Sequence, residues 1–412
     1  MKQSIAILDF GTSKVTVLVG SRGINNSICV EGIGVCEYAG YSGGQWLDAE
    51  RLAAAVAQAV SAAESSARVK LDKLYIGVPN DFSMCKVGDL SISLNKKRRV
   101  TEQDVAALRD SGNMYGNDEF WTVINIQPIY FTLDDDRKLI EPVGLTSTKL
   151  GGSISYILAK NEFIELVDAA ANAAGVFETE YVSASLAEML FLFDDYKRDN
   201  CVMLADIGAF GTALTIGRGD GICRQYYFSW GGARITSALA EKMDLAPKSA
   251  ELLKRKVILS LEPEYIPPES GEAGSDSEFE PDGKSVTVVQ TEYEVEIDNE
   301  IYTFDVAETN LIVRLEIERL ARYITKALKS CDYDYPEFTP LSITGGGLNY
   351  IRGAAEYLAE CLNREVNTVE PSLPMLDRPQ LSSALGLLDM VLTSEQGSGG
   401  LFDRFRRWLA KR

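Results

Sequence analysis

The feature that most constrains this chain is a short loop pattern that occurs twice. Residues 9–13 read Asp-Phe-Gly-Thr-Ser, and residues 206–212 read Asp-Ile-Gly-Ala-Phe-Gly-Thr. Each loop follows an apolar run and precedes a segment of alternating apolar residues, which predicts a strand, a glycine turn and a second strand. A hairpin repeated in this way predicts a protein with two related halves.

The residue types in both loops suit a phosphorylated ligand. Glycine lets the backbone turn tightly and approach a ligand, and the hydroxyls of Thr12, Ser13 and Thr212 join free amides as donors to phosphate oxygens. Asp9 and Asp206 could hold a hydrated divalent cation, because magnesium prefers oxygen ligands and keeps much of its water. One such loop alone is also typical of an ordinary hairpin turn. The matching pair favours a metal nucleotide clamped between two halves.

Composition and charge exclude several other classes of protein. The formal net charge of −19 argues against general nucleic-acid binding, which needs a basic surface. Histidine is absent, which removes Ser-His and Cys-His catalysis and imidazole metal ligands. Seven cysteines are scattered singly, so we expect neither a disulfide framework nor a zinc site, and a reducing cytosol is the simplest setting. We expect no signal peptide and no membrane-spanning helix.

Two internal regions differ from the rest of the chain. Residues 81–155 contain short predicted strands, polar turns and one predicted helix over 102–111, which indicates an inserted subdomain. Residues 262–282 contain eight acidic residues, four prolines and no lysine or arginine. That composition cannot bury enough apolar surface to become ordered. We therefore predict a disordered surface loop there, for which simple solvation is a more economical role than binding.

A third glycine cluster suits the base of a nucleotide. The triple glycine at 345–347 follows an apolar segment and precedes a helix predicted to begin near Tyr350. Backbone without side chains can lie flat against an adenine ring, and a helix N-terminus nearby favours negative charge. Gly232, which belongs to a glycine pair, offers a similar element.

Residues 401–412 have the pattern of an amphipathic helix. Its apolar side is formed by Leu401, Phe402, Phe405, Trp408 and Leu409. Its basic residues are Arg404, Arg406, Arg407, Lys411 and Arg412. A helix of about 18 Å is too short to span a bilayer but suits the interface of an anionic membrane, where each basic residue adds up to roughly 1 kcal/mol.

Residues 393–400 are rich in glycine and serine and are predicted to be a flexible linker to this helix, with a reach of about 15 Å. The alternative is a terminal helix that docks on the protein's own core.

The order of these motifs resembles the actin-like ATPase superfamily. After the two hairpins come Trp-Gly-Gly-Ala-Arg-Ile-Thr at 230–236, Ala-Glu-x-x-Lys at 250–254 and Ile-Thr-Gly-Gly-Gly at 343–347. Within that superfamily the chain is most similar to the FtsA family of bacterial cell-division proteins. The middle motifs, the block at 81–155 and the closing amphipathic helix all match that family's pattern, so the resemblance covers nearly the whole chain.

The resemblance implies an α/β actin-like ATPase fold, with two halves around a nucleotide cleft, each with a mixed five-stranded sheet flanked by helices, plus an FtsA-type inserted subdomain. The implied subdomains are 1–80 with 156–198 and 372–392 for the first core, 81–155 for the insertion, 199–230 with 305–371 for the second core, and 231–304 for a smaller nucleotide-capping unit.

The resemblance also implies function: ATP binding with Mg²⁺, self-association into protofilaments, and tethering of FtsZ polymers to the cytoplasmic face of the cell membrane at the division site. Other division proteins could bind residues 81–155. Asp9 and Asp206 are the implied metal residues, acting through water. The other implied nucleotide-binding residues are Gly11, Thr12, Ser13, Lys14, Gly208, Gly211 and Thr212 at the phosphates, Glu251 and Lys254 at the ribose, and Gly232, Gly345, Gly346 and Gly347 at the adenine.

Some positions depart from the family pattern. Ala209 and Phe210 stand where many relatives have glycines. Relatives that hydrolyse ATP well often place a carboxylate or amide just before the helix that begins near Ser183, and Glu180 and Glu188 are out of register with that position. We therefore expect ATP binding with weak or no hydrolysis.

Two other functions remain open at this stage. A small-molecule kinase of the same superfamily would need a general-base carboxylate near the γ-phosphate and a substrate pocket, and it leaves the C-terminal helix unexplained. An actin-like adaptor for another membrane structure, such as one for pilus assembly or an FtsA paralogue, would use the same helix.

Overall fold

The structure is a computed structural model that describes residues 4–38, 41–42, 45–46, 48–112, 118–260, 291–373 and 376–396. The acidic segment predicted over 262–282 and the amphipathic helix predicted over 401–412 lie outside the described residues.

The strands are β1 (Ile5–Phe10), β2 (Lys14–Arg22), β3 (Ile28–Glu37), β4 (Tyr41–Ser42), β5 (Gln45–Trp46), β6 (Lys73–Val78), β7 (Ser83–Arg99), β8 (Trp121–Thr132), β9 (Thr146–Lys160), β10 (Glu178–Ser183), β11 (Val202–Ile207), β12 (Thr212–Arg218), β13 (Gly221–Phe228), β14 (Glu292–Ile297), β15 (Glu300–Asp305), β16 (Leu341–Thr344) and β17 (Val366–Thr368). The helices are α1 (Ala49–Ala67), α2 (Glu102–Ser111), α3 (Asn161–Ala173), α4 (Ala184–Leu192), α5 (Asp195–Asp199), α6 (Gly232–Lys242), α7 (Pro247–Lys254), α8 (Val306–Ser330), α9 (Ala354–Leu362) and α10 (Ser382–Gln396).

Two five-stranded sheets share one topology. Their strand orders are β10-β6-β1-β2-β3 and β13-β12-β11-β16-β17. In each sheet the hairpin strands pair antiparallel, and the strands on the other side of the first hairpin strand pair parallel. The hairpin repeat in the sequence thus opens each sheet, and the prediction of two mixed five-stranded sheets is confirmed.

Helix α1 covers the first sheet along a narrow contact. Its N-cap Asp48 accepts a hydrogen bond from the Arg51 amide, which satisfies one free donor of the first turn. A Cβ at Gly34 of β3 would lie 1.9 Å from the carbonyl oxygen of Ala59. Only glycine therefore allows α1 to lie this close to β3, and the two elements enclose buried side chains of the first core.

The last described helix, α10, returns to the first sheet and packs against α4 and β1. Arg22 forms a 2.8 Å ion pair with Asp389, and the Tyr75 hydroxyl donates to Glu395 at 2.6 Å. These contacts hold α10 against the first half along its length, up to and including its last turn. The linker predicted over 393–400 is therefore wrong for residues 393–396, which are helical, while residues 397–400 lie outside the described part.

The predicted insertion is a separate three-stranded sheet, ordered β7-β9-β8, with α2 against it. Thr101 and Asp104 form a capping box at the start of α2, and the two terminal guanidinium nitrogens of Arg98 donate to the Asp104 carboxylate, each at 2.7 Å. Hydrogen bonds from Arg98 hold the pKa of Asp104 well below its usual range.

Helix α9 begins later than predicted. It starts at Ala354 rather than near Tyr350, because Gly353 precedes it with a left-handed φ of 80°, a conformation that glycine adopts readily. Among the described helices, none is both long and apolar enough to cross a bilayer.

Candidate nucleotide-binding site

The two loops predicted to bind phosphate have the same backbone geometry. The Gly11 amide donates to the Lys14 carbonyl at 2.9 Å, and the Gly208 amide donates to the Gly211 carbonyl at 2.8 Å. Each bond closes a four-residue turn between paired strands. The repeat in sequence is therefore a repeat in structure.

The loops face each other across the cleft and touch. The Phe210 amide donates to the Thr12 hydroxyl at 3.1 Å, and a Cβ at Gly208 would lie 3.4 Å from the same hydroxyl oxygen. A hydroxyl of the first half therefore binds a backbone amide of the second half. An anion between the loops would meet donors from both halves.

The remaining predicted glycine elements converge on the second loop. The Gly232 amide donates to the Gly208 carbonyl at 3.0 Å, and the Gly347 amide donates to the Ile207 carbonyl at 2.7 Å. A Cβ at Gly232 would lie 2.5 Å from the carbonyl oxygen of Gly347. Three backbone segments therefore pack closely against one another here without intervening side chains.

Gly345 places this glycine cluster beside a predicted metal residue. Its φ is +85°, and a Cβ there would lie 2.2 Å from the Asp206 Oδ1 atom. Gly346 is exposed, and a Cβ on it would meet only the flexible side chain of Gln380, at 3.3 Å. Residues 345 and 347 are thus sterically fixed as glycine, whereas 346 faces open space.

Three carboxyl groups gather between the two loops. Asp9 accepts a hydrogen bond from the Ser383 hydroxyl at 2.6 Å, and Glu188 accepts one from the Ser382 hydroxyl. Burial raises the pKa of Asp206 to about 7, with the charge of Asp9 adding to the effect. Burial also raises the pKa of Asp9, against opposing effects of Ser383 and Lys14. This concentration of like charge would be relieved by a cation.

The geometry fits a cation held through water. Within the described ranges, no three acidic, cysteine or histidine side chains converge closely enough to hold a metal directly. Asp9 and Asp206 are each partly accessible from the cleft, and magnesium keeps several of its waters when it binds one or two carboxylates.

Glu188 is a cleft residue that the sequence analysis did not include in the site. It lies inside α4 and not just before it, and burial raises its pKa, with the nearby charges of Asp206 and Asp9 adding to the effect. Glu180 lies elsewhere, in a 2.7 Å ion pair with Lys73. The signal for Glu188 was a carboxylate in a largely apolar helix, α4, whose first six residues are all buried.

The predicted ribose residues form one network beside Gly232. The Lys254 ammonium donates to the Gly232 carbonyl at 3.0 Å and to the Thr236 hydroxyl at 2.8 Å, and it pairs with Glu251 at 2.6 Å. Burial raises the pKa of Glu251, but hydrogen bonds from Lys254 and Thr236 bring it below its usual value overall. An ionised carboxylate beside the glycine elements suits a ligand hydroxyl.

The hydroxyl of Thr212 does not join the loop surface. Thr212 is fully buried, and its hydroxyl donates to the Trp230 carbonyl at 2.7 Å. The next residue back, Gly211, lies under Tyr227, because a Cβ there would lie 2.3 Å from the Tyr227 hydroxyl. These two residues therefore shape the second loop from behind.

Tyr38 was not predicted and braces the first loop. Its hydroxyl donates to the Gly11 carbonyl at 3.0 Å, and its amide donates to the Ser13 carbonyl at 3.1 Å. Burial, together with the nearby charges of Asp81 and Asp9, raises the pKa of Tyr38 far above its usual value. No motif in the sequence marked this tyrosine, because its partners are backbone atoms.

Comparisons with known proteins bear on the family and the fold of the chain. The family profile "Cell division protein FtsA" matches residues 203–386, and the profile "SHS2 domain inserted in FTSA" matches residues 85–158. The cell division protein FtsA of Escherichia coli K12 is 23% identical over 249 residues, which cover 60% of this chain and only 59% of that protein. FtsA of Neisseria meningitidis is 21% identical over 98% of this chain and 97% of its own length.

Solved structures give the fold. The PilM-PilN type IV pilus biogenesis complex aligns with a TM-score of 0.60 and 16% identity, covering 95% of this chain and 99% of its own. MreB5 of Spiroplasma citri bound to ADP aligns with a TM-score of 0.52 and 11% identity, over 96% and 99%. With both profiles and a full-length relative in agreement, the chain is an FtsA-type actin-like protein.

Proposed function

We propose that this chain binds Mg-ATP between its two halves, assembles into protofilaments on the cytoplasmic face of the cell membrane, and tethers FtsZ filaments there during division. The observation that carries the nucleotide part is the pair of matching loops that meet across the cleft beside Asp9 and Asp206. The donors, carboxylates and glycine backbone gathered there support binding of phosphates, a hydrated cation and an adenine, respectively.

Each group of residues has a defined task in this proposal. Thr12, Ser13 and the amides of both loops bind phosphate oxygens, and Lys14 adds positive charge. Asp9 and Asp206 orient the waters of Mg²⁺, which when bound neutralises phosphate charge. Glu251 and Lys254 bind the ribose, and the glycines at 232 and 345–347 frame the adenine.

Weak hydrolysis remains the expected behaviour. Glu188 is a carboxyl group in the cleft, but it is buried and accepts a hydrogen bond from Ser382. A general base must lie within hydrogen-bond reach of the water that it deprotonates, and the buried position of Glu188 disfavours that role. The nucleotide then acts as a switch for assembly.

The membrane part rests on sequence and on relatives. The curated relatives carry the name "Cell division protein FtsA", and residues 401–412 have an apolar side flanked by five basic residues. Helix α10 is docked on the first half up to Glu395, so a C-terminal anchor would hold that half next to the bilayer.

Co-sedimentation with liposomes tests this proposal. The full chain should pellet with vesicles of phosphatidylglycerol and phosphatidylethanolamine, and Mg-ATP should increase the bound fraction because polymers bind with avidity. A chain ending at Gly400 should stay in the supernatant. The full-length variant Trp408→Glu should also lose most of the binding. Phe338→Glu, which makes the same kind of change at an exposed residue in the body, is the matched control and should keep it.

Addition of purified FtsZ polymers to the same vesicles separates division from other membrane tasks. FtsZ should pellet with the vesicles only when the full chain is present. If the chain binds vesicles and Mg-ATP but leaves FtsZ in solution, an adaptor for another structure becomes the better conclusion. A pilus-assembly adaptor is then favoured, because the PilM-PilN complex is a structural neighbour over nearly the entire chain.

A further inference from the structure

A small polar cavity of about 370 Å³ lies where the two halves and the inserted subdomain meet. Asn80 and Asp81 follow β6, Ser83 begins β7, and Gln225 and Tyr227 belong to β13 of the second half. The cavity is separate from the carboxyl groups between the phosphate loops, and nothing in the proposed function uses it.

The walls of this cavity carry buried oxygen atoms that lack partners. Asn80 Oδ1 and Gln225 Oε1 are acceptors without a hydrogen-bond partner in the described part of the chain. The carboxyl oxygens of Asp81 are buried beside them, where the Tyr227 hydroxyl interacts with the carboxyl group as a donor. Asn80 is only 7% exposed. Buried acceptors without a donor are rare because each forfeits its hydration without a replacement. Their grouping around one cavity points to an occupant.

The amide nitrogens in this group are already committed elsewhere. Asn80 Nδ2 donates to the Tyr226 carbonyl at 3.0 Å, and Gln225 Nε2 donates to the Ser83 hydroxyl at 3.1 Å. The first bond joins the first half to the second, and the other joins the inserted subdomain to the second half. They fix the two amides so that their oxygens remain as acceptors.

The charge in the cavity selects among possible cations. The charged residues that line it are Asp81 and Lys160. Burial raises the pKa of Asp81 to about 7, against weaker opposing effects of its own amide, the Lys160 charge and a hydrogen bond with Tyr227. Calcium binds tightly where several carboxylates converge, and magnesium demands near-ideal octahedral geometry. One carboxylate with neutral amide and hydroxyl oxygens instead suits a single positive charge, as carbonyl oxygens suit potassium.

We propose that this cavity binds a monovalent metal cation, potassium or sodium, through oxygen atoms of Asn80, Asp81 and Gln225. Bound there, the ion joins residues of the first half, the inserted subdomain and the second half. It also acts on the second phosphate loop, because Gly211 lies directly under the ring of Tyr227. The site needs no nucleotide, so it can be tested independently of the proposed function.

Thermal unfolding of the full, nucleotide-free chain in EDTA at pH 8 tests the site. KCl or NaCl replaces N-methyl-D-glucamine chloride at constant ionic strength, because that large organic cation cannot enter the cavity. Above the dissociation constant, each tenfold rise in K⁺ or Na⁺ should raise the melting temperature by about 2 °C. Asp81→Asn should abolish this shift. Asp89→Asn, an exposed position on β7, is the matched control and should retain it.

The Lys160 ammonium is the main alternative to a metal ion as the positive charge beside Asp81. It lies near Asp81 and stands 5.6 Å from the centre of the Phe82 ring. If the metal ion occupies the cavity, Lys160→Met removes a competing charge and should lower the K⁺ concentration needed for half of the shift. Equal melting temperatures in all three salts would overturn the proposal and leave water or Lys160 as the partner of Asp81. A shift that persists in Asp81→Asn would overturn it as well.

Discussion

The two halves share one sheet topology but present different loops to the cleft. The first loop carries side-chain donors at Thr12 and Lys14, and Tyr38 braces it through a side-chain hydroxyl. The second loop has Ala209 and Phe210 at its tip and is braced by the backbone of two other glycine segments. One loop therefore depends on side-chain chemistry and the other on close backbone packing.

This difference predicts unequal tolerance to mutation. A lost side-chain hydrogen bond costs a modest free energy, whereas an added Cβ inside packed backbone forces displacement or strain. The second half should therefore fail steeply at its glycines, and the first half should weaken gradually. The aspartates, one from each half, should behave alike.

The largest effect is expected for Gly345→Ala. The new Cβ would lie 2.2 Å from Asp206 Oδ1 at a φ of +85°, so both contact and backbone conformation are unfavourable. We expect the free energy of unfolding to fall by about 3 kcal/mol or more, together with loss of Mg-ATP binding. Chemical unfolding and equilibrium nucleotide binding measure the two effects.

The neighbouring glycine supplies the control. Gly346→Ala meets only the Gln380 side chain and should change the unfolding free energy by less than about 0.5 kcal/mol. Equal losses at 345 and 346 would show that the cluster is not held by the packing described above.

The next effect concerns the two aspartates. Asp9→Asn and Asp206→Asn should each weaken Mg-ATP binding about 10- to 100-fold, the range found when groups that orient metal-bound water are removed. Neither change should lower thermal stability, because each relieves repulsion between neighbouring, partly buried carboxylates. Titrations of ATP with Mg²⁺ and with EDTA measure the metal-dependent part.

The two variants should lose the same metal-dependent part and become nearly indifferent to EDTA. If one variant kept the full response to Mg²⁺, the aspartate changed in it would not belong to the metal site. The two halves would then not contribute equally to metal binding.

Local pattern predicted the elements of the site well. The repeated hairpins, the two five-stranded sheets and the helices over 49–67 and 102–111 follow from periodicity and turn chemistry, which are properties of neighbouring residues. The convergence of Gly232 and Gly347 on the second loop was expected only from the family resemblance. Contacts of this kind depend on packing between distant segments.

Residues whose partners come from the end of the chain escaped prediction. Glu188 reaches its place because α10 returns to the first half and puts Ser382 and Ser383 beside the carboxyl cluster. Thr212 was predicted to bind phosphate from its place in the loop motif. Its hydroxyl instead points into the protein, because the register of β12 places this residue on the buried face of the strand. Neither fact is encoded in spacing along the sequence.

Glu188→Gln sharpens the comparison by removing a carboxyl that only the first half contributes. The amide keeps an acceptor for Ser382 but cannot ionise. Since the pKa of Glu188 is raised in the folded state, wild-type stability is largest below the ordinary glutamate value of about 4.3 and falls as pH rises. The variant should lack this decline and gain about 1 kcal/mol over wild type near pH 8.

Unfolding free energies at pH 5 and pH 8 measure the difference. Glu180→Gln is the control, because Glu180 is partly exposed and paired with Lys73, and its removal should not stabilise the protein at pH 8. An unchanged pH profile in Glu188→Gln would mean that Glu188 ionises as freely as a surface residue.

The smallest expected effect tests the contact between the loops. Thr12→Val keeps the shape of the side chain but removes the hydroxyl that accepts the Phe210 amide at 3.1 Å. Because this site is partly exposed and water can replace the acceptor, the unfolding free energy should fall by about 0.5 to 1 kcal/mol. Thr12→Ser restores the hydroxyl and should recover most of that loss. If valine and serine behave alike, the loops meet by packing alone, and the first loop would resemble the second more than its side chains suggest.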